Sequence, residues 1–288
     1  MTTAFKKAAR YVDQELVNPL RAGNLIRKLL PLNTRIAGRG IKNVDYYSIT
    51  EMSDAMITYD IDTGEASTDN INVSVTNIAI PVIKKHFKIP RRDFDAFENQ
   101  GIPFDTAAAL SAGAMVTKAE NSLGVQGWKR DGSAYQINGL YQAAGNTTAG
   151  ADFGTSFGNA LVSVANGLAK FDEDNVFADS WNLVLNTTQR RELQKSVSTG
   201  LVEETLVRQI LGPQGDIFVS ADITAGTGML LPVDPTGQYF DLINPDGPKT
   251  VIGEDSKLPE YSDLFGTVID FIVPRIKQST AICTLTSI

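Results

Sequence analysis

Three unlike segments follow one another in the first half of this 288-residue chain, and their order limits what it can fold into. Residues 1–42 are basic and carry one helical stripe of apolar residues, Phe5, Ala9, Val12, Leu16 and Leu20. Pro19 cannot sit in a helix interior, so it either kinks the arm or starts a second helix with Asn18 as its cap. Leu25, Ile26, Leu29 and Leu30 give that second helix its apolar side, and Pro31 stops it. The period then changes. Residues 46–49 and 56–61 read as extended, and Ile71, Val73 and Val75 alternate with Asn72, Ser74 and Thr76. Between them, residues 62–70 are an acidic, turn-rich tip. The second strand is expected to run on through Ile78, Ile80, Val82 and Ile83 to Phe87 and Ile89, giving a long hairpin over 46–90. A lone hairpin is marginal in water and its edges need cover, yet no third strand follows it in sequence. The pattern is that of a subunit whose arm and hairpin are completed by neighbouring copies.

The third segment is a helix over 106–123 with Asp105 as its cap. Ala107, Ala108, Ala109, Ala112, Gly113, Ala114 and Ala119 put small residues on several of its faces, so other backbones can approach from all round. The helix is therefore expected to be central, with Gly124 and Gly127 ending it. Before it, residues 91–97 form a short helix or turn. After it, residues 132–154 are loop-rich, and residues 156–170 give an amphipathic helix with Phe157, Leu161, Val164, Ala165 and Leu168. Residues 181–186 read as a buried strand running into Thr187 and Thr188, the cap of a helix over 189–197. Short apolar segments at 217–220, 228–232, 239–243, 268–274 and 281–285 alternate with Gly, Pro and Asp turns. The class is α+β, with mostly antiparallel strands.

Material for chemistry is sparse. The chain has one histidine, His86, and one cysteine, Cys283, so the usual His/Cys metal patterns and an intrachain disulfide are both excluded. Cys283 lies in an alternating apolar tail and reads as a buried strand residue, and His86 reads as structural. Gly212-Pro213-Gln214-Gly215-Asp216 and Gly124-Val125-Gln126-Gly127 lack the lysine of a phosphate loop, and no Gly-x-Ser-x-Gly elbow exists. The adjacent acids Glu203/Glu204 and Glu254/Asp255 read as solvated charge. No catalytic residue, cofactor or metal is expected. No apolar run approaches the roughly 20 residues of a membrane span. The start of the chain lacks the apolar core of a secretory signal, so the protein is expected to be cytosolic when made.

Charge is unevenly spread. Residues 1–42 hold nine cations and two acids, a net +7, in a chain whose total is −7. Such a basic end fits a polyanion or an acidic partner surface; it equally fits a solvated helix face or pairing with the acidic body of a neighbouring copy.

The order of arm, hairpin and small-residue helix resembles the major capsid proteins of tailed viruses with the Hong Kong 97-like fold, which encapsulin nanocompartment shells share. The stretch from Ala112 to Asn121, then Gly127, then Asn138-Gly139-Leu140, is similar to that family's helix ending in an Ala-x-x-Glu-Asp-like step, short strand and Gly-Leu. Here Asn121 replaces the common acid, and the gap before Gly139 is longer than usual. The resemblance implies an N-terminal arm over 1–45, an extended loop over 46–90 and a peripheral domain with a long spine helix over 91–150. A mainly axial domain follows over 151–260, and C-terminal strands over 261–288 return to the junction of the two domains. It implies a homo-oligomeric icosahedral shell, of pentamers and hexamers or of pentamers only, without enzymatic activity. The loop residues Ile57, Tyr59, Ile61, Thr63, Gly64, Ile71, Val73 and Val75 would make intersubunit contacts.

Within that resemblance two functions compete. As a virion capsid assembled in the host cytoplasm, the shell would enclose double-stranded DNA, contacted without sequence preference by the lumen-facing Lys6, Lys7, Arg10, Arg21, Arg27 and Lys28. Scaffold, portal or decoration proteins would be further partners, and a membrane would not. As an encapsulin, the shell would be cytoplasmic and enclose a cargo enzyme, with Phe5, Val12 and Leu16 as the apolar groove for its tail. The basic arm and the Asn138-Gly139-Leu140-Tyr141 segment favour the capsid.

Overall fold

The structure, a computed structural model, describes residues 24–38, 40–49, 73–101, 106–130, 134–196, 200–254 and 263–288, together with positions 7, 10 and 12. The chain divides into two compact units, one of Met1–Arg39 with Pro81–Ile288 and one of Gly40–Ile80.

The spine helix, Ala107–Val125, sets the first half of the larger unit. Ala109, Ala112, Gly113, Val116, Thr117, Glu120 and Leu123 are buried, a stripe at helical spacing. Ala108, Ser111, Ala114, Met115, Lys118 and Ala119 are exposed. The expectation of close packing on several faces is thus corrected: in a single copy the helix is covered on one side. That side meets a three-stranded antiparallel sheet in the order Lys249–Glu254, Leu264–Phe271, Val82–Ile89. Along Leu264–Phe271 burial alternates residue by residue, as a sheet with one covered face requires. Phe87, Ile89, Ile252, Leu264 and Val268 meet Ala109, Ala112 and Val116 of the helix, and Phe94 of the helix Arg91–Gln100 closes the core. Val12 joins this core with no exposed surface.

The single strand expected to reach Ile89 is two strands. Val73–Ala79 pairs with Asn43–Ile49 from Ala79↔Asn43 to Val73↔Ile49, inside the smaller unit. Val82–Ile89 pairs with Leu264–Phe271, inside the larger. The break falls at Pro81, which has no N–H to give a ladder. The partner of Val82–Ile89 therefore lies about 180 residues downstream, where proximity in sequence does not reveal it, while Asn43–Ile49 and Val73–Ala79 form a two-stranded sheet.

Gly124 does not end the spine helix. A Cβ there would sit 2.2 Å from Cγ1 of Ile26, so glycine is what lets the segment 24–30 lie against the helix. The helix ends instead where Leu140 N–H donates to Gly124 O and Tyr141 N–H to Val125 O, both at 2.8 Å, satisfying carbonyls left over at the terminus. Gly139 permits this: its Cβ would meet the Gly127 nitrogen at 2.3 Å, while Leu140 is buried.

The second half of the larger unit is a five-stranded sheet in the order Asn146–Ala149, Cys283–Thr286, Thr227–Pro232, Trp181–Leu185, Ile217–Val219. Its outer pairs are parallel and its inner pairs antiparallel, so this one sheet is mixed, while most strand pairs among the described residues are antiparallel, as expected. Trp181–Leu185 is buried throughout, as read from sequence, and Trp181 stacks on Phe171 of the helix Asn159–Glu173 at 4.4 Å. The helix after it is shorter than expected, Thr187–Glu192, and its cap is Asn186, whose side chain accepts from Thr188 N–H at 3.1 Å. Cys283 is fully buried, and burial pushes its thiol pKa up. Two small sheets accompany these, Leu32–Asn33 with Phe240–Ile243 and Val273–Ile276, and Gly127–Lys129 with Tyr135–Asn138.

Replacing Gly139 with alanine forces backbone apart at the helix end, so Gly139→Ala is expected to lower stability by about 1–3 kcal/mol. The thermal unfolding midpoint checks this; an unchanged midpoint would count against the loop packing described.

Candidate assembly site

The segment 24–30 is tied to the spine helix by polar groups the local sequence pattern did not connect. Asn24 Nδ2 and Arg27 Nε both donate to Glu120 Oε2, the latter at 3.2 Å. Ile26 N–H donates to Asn121 Oδ1 at 3.1 Å. The far side of Arg27 reaches Asp270, with Nη2 at 2.5 Å from Oδ2. Asp270 Oδ1 also accepts from Phe271 N–H at 2.8 Å and Asn244 Nδ2 at 3.0 Å. Glu120 is 2% exposed and Asp270 0%. Burial pushes the Glu120 pKa up to about 8, helped by the hydrogen bond and charge of Asp270 and opposed by Arg27. Around this network Ile26, Leu29 and Leu30 are buried. The Glu120-Asn121 step in the last two turns of the helix is thus the anchor of the arm. One signal pointed to it: a carboxylate four residues after Val116, on the buried stripe.

Arg27, expected to face the lumen, pairs with Glu120 and Asp270 of its own chain. Lys7, Arg10 and Lys28 are exposed, while Lys6 and Arg21 lie outside the described residues. Val12 is sealed in the core and offers nothing to a bound tail, so it is not part of an open groove; Phe5 and Leu16 lie outside the described residues. The arm buries Val12, Ile26, Leu29 and Leu30 within its own chain and does not depend on a neighbour for that. Of the hairpin residues, Val75 is 59% exposed and Val73 stands at the end of the ladder opposite Ile49. Ile57, Tyr59, Ile61, Thr63, Gly64 and Ile71 lie outside the described residues.

Glu203 and Glu204 are not solvated charge. Glu203 is 2% exposed, and its Oε1 accepts from Gly158, Ala160 and Leu161 N–H at 3.1, 2.8 and 3.3 Å. It caps the start of the helix Asn159–Glu173 from the helix Glu203–Leu211, 45 residues on. Glu204 pairs with Arg190 at 2.5 Å and Arg208 at 3.0 Å, and chiefly the Arg190 hydrogen bond holds its carboxyl below the usual range. His86 is exposed and meets Thr267 Oγ1 at 2.7 Å. Among the described residues no group of three or more His, Cys, Asp or Glu could hold a metal ion, and no helix is long and apolar enough to cross a membrane. Large apolar side chains do stand exposed, Phe177 most of all at 69%, with Val162, Leu32 and Val82.

The family Linocin_M18, described as encapsulating protein for peroxidase, matches residues 36–245. The chain belongs to this family. Its Linocin_M18 sequence is 26% identical over 277 residues to the type 1 encapsulin shell protein EncA of Myxococcus xanthus, covering 95% of this chain and 90% of that one. Among solved structures, the virus-like particle from Pyrococcus furiosus matches with a TM-score of 0.67 at 19% identity, over 99% of this chain and 100% of that. The capsid of Myoviridae phage XM1 matches at 0.65 and 13% identity, over 92% and 91%. The fold of this Linocin_M18 member is therefore the Hong Kong 97-like one that the order of segments resembled, and the chain is of the shell-forming class.

Removing the Glu203 carboxylate strands three backbone donors at a buried helix start. Glu203→Ala is expected to cost about 1.5–3 kcal/mol, and Glu203→Gln, which keeps an accepting oxygen, less. Denaturant midpoints of the two variants in parallel check the order.

Proposed function

We propose that this chain is the shell subunit of an encapsulin compartment, in which identical copies close into an icosahedral shell around a protein cargo in the cytoplasm. The family match over residues 36–245 carries this reading, since that family is one of encapsulating proteins. The relative in Myxococcus xanthus, a shell protein by name, aligns along nearly the full length of both chains. The likeness to phage capsids rests on 10–13% identity and speaks for shared fold rather than for shared contents.

The state of the arm agrees. A DNA-facing arm needs cations free to meet phosphates. Arg27 is committed to two internal carboxyls, which removes one of the six cations proposed for that role. Virion location and DNA, scaffold and portal partners are accordingly set aside. The reading gives the shell no chemistry of its own; any catalysis belongs to what it encloses.

Nuclease-treated particles purified from the native source test the proposal. A second polypeptide at constant stoichiometry inside closed shells, with no nuclease-protected DNA, is expected. Protected double-stranded DNA of uniform length would overturn it. Deleting residues 62–70 leaves the ladder between Asn43–Ile49 and Val73–Ala79 untouched. The variant is expected to keep its circular dichroism spectrum while particle yield by size-exclusion chromatography falls. Normal yield would remove the bridging role assigned to the hairpin tip.

A further inference from the structure

The clasp on the segment 24–30 contains two carboxyls and one cation. Glu120 on the spine helix and Asp270 on the strand Leu264–Phe271 are both buried, lie within hydrogen-bond reach of each other, and share the single guanidinium of Arg27. Among the described residues, the other groups facing the pair are neutral. They are Asn24 from the segment itself, Asn121 from the helix, Asn244 from the turn after Phe240–Ile243, and the Phe271 N–H. Strand Val82–Ile89 sets Ile83 opposite Asp270, while Lys85 on that strand and Lys28 on the segment are exposed. With both carboxyls ionised, a buried cluster among these residues would hold a net negative charge that nothing neutralises, and like charges so placed do not both ionise.

The donors show which carboxyl keeps the proton. Asp270 accepts from three donors spread over both its oxygens: Arg27 on Oδ2, Asn244 and Phe271 on Oδ1. Among the described residues both donors to Glu120 reach the same oxygen, Oε2, so Glu120 is held by fewer donors than Asp270 and is the carboxyl that keeps the proton. We propose that Glu120 and Asp270 form a proton-binding site holding one shared proton, and that this proton fastens the segment Asn24–Leu30 to the spine helix, so that raising the pH releases the segment. The inference holds whatever the shell encloses.

The direction follows from the linkage between proton binding and closure. Once released into water, Glu120 returns to the ordinary carboxylate value of 4.5, whereas the clasped group titrates near 8. The clasp is thus at full strength below about 4.5, weakens as pH rises from there, and has lost the proton's contribution above about 8. Between pH 6 and 9 the closure constant is expected to fall by up to about a hundredfold.

Hydrogen–deuterium exchange on assembled wild-type protein and on Glu120→Gln, each corrected for intrinsic exchange, tests this. The peptide spanning residues 24–30 is compared with one spanning Trp181–Leu185 as internal reference. Wild-type protection over 24–30 is expected to drop steeply between pH 6 and 9 while the reference holds. Glu120→Gln, neutral at every pH, is expected to stay within about twofold. A flat wild-type profile, or a parallel fall in the variant, would overturn the proposal. Should the variant fail to fold, infrared spectroscopy of wild-type protein labelled with carbon-13 glutamate decides. A protonated carboxyl stretch present at pH 6 and titrating away near 8 supports the shared proton, and its absence at pH 6 refutes it.

Discussion

A guanidinium lodged between two buried carboxyls joins three distant parts of this chain. Arg27 comes from the beginning, Glu120 from the middle and Asp270 from near the end. Desolvating a charge is costly, and a buried ion pair tolerates little displacement because losing one partner strands the other. The network therefore demands registration: the arm, the spine helix and the strand Leu264–Phe271 must arrive together for its guanidinium and both carboxyls to be satisfied. Around it the apolar contacts, with Ile26 against Gly124 and Val12 in the core under the spine helix, supply area without direction. The polar clasp supplies the direction.

The same long reach appears in the sheets. Val82–Ile89 finds its partner only when Leu264–Phe271 has been made, and Asn146–Ala149 waits for Cys283–Thr286. Both halves of the larger unit are closed by the last 25 residues of the chain. Contacts so far apart in sequence carry loop-closure entropy before they return any stabilisation, which makes folding slow rather than local. A chain of this topology spends time with the edge of Val82–Ile89 bare, and Lys84, Lys85 and Lys88 along that strand discourage a wrong partner from pairing there.

What could be read from the residues divides along the same line. The spine helix, the buried strand Trp181–Leu185, the helix Asn159–Glu173 and the buried Cys283 all announce themselves through composition or period within a few residues. The order of these elements sufficed for the fold. Spacing does not say which strand pairs with a segment 180 residues away, so the hairpin was read too long across Pro81. Nor does it say what a lone acid will meet, so Glu203 passed for solvated although it caps a helix 45 residues back. The preference for a DNA-filled capsid had the same source. Counting the charges of residues 1–42 treats each as free, and Arg27 is not.

The mixed sheet has a practical consequence for chemistry on the finished particle. Cys283, the one thiol in the sequence, is walled in between Thr227–Pro232 and Asn146–Ala149, with its pKa raised by the apolar surroundings. Thiol-selective reagents meet no exposed native thiol on the folded chain. A cysteine introduced at any exposed position becomes a unique handle, repeated once per copy, so dyes or ligands can be arrayed at a chosen spot without first engineering the native residue away.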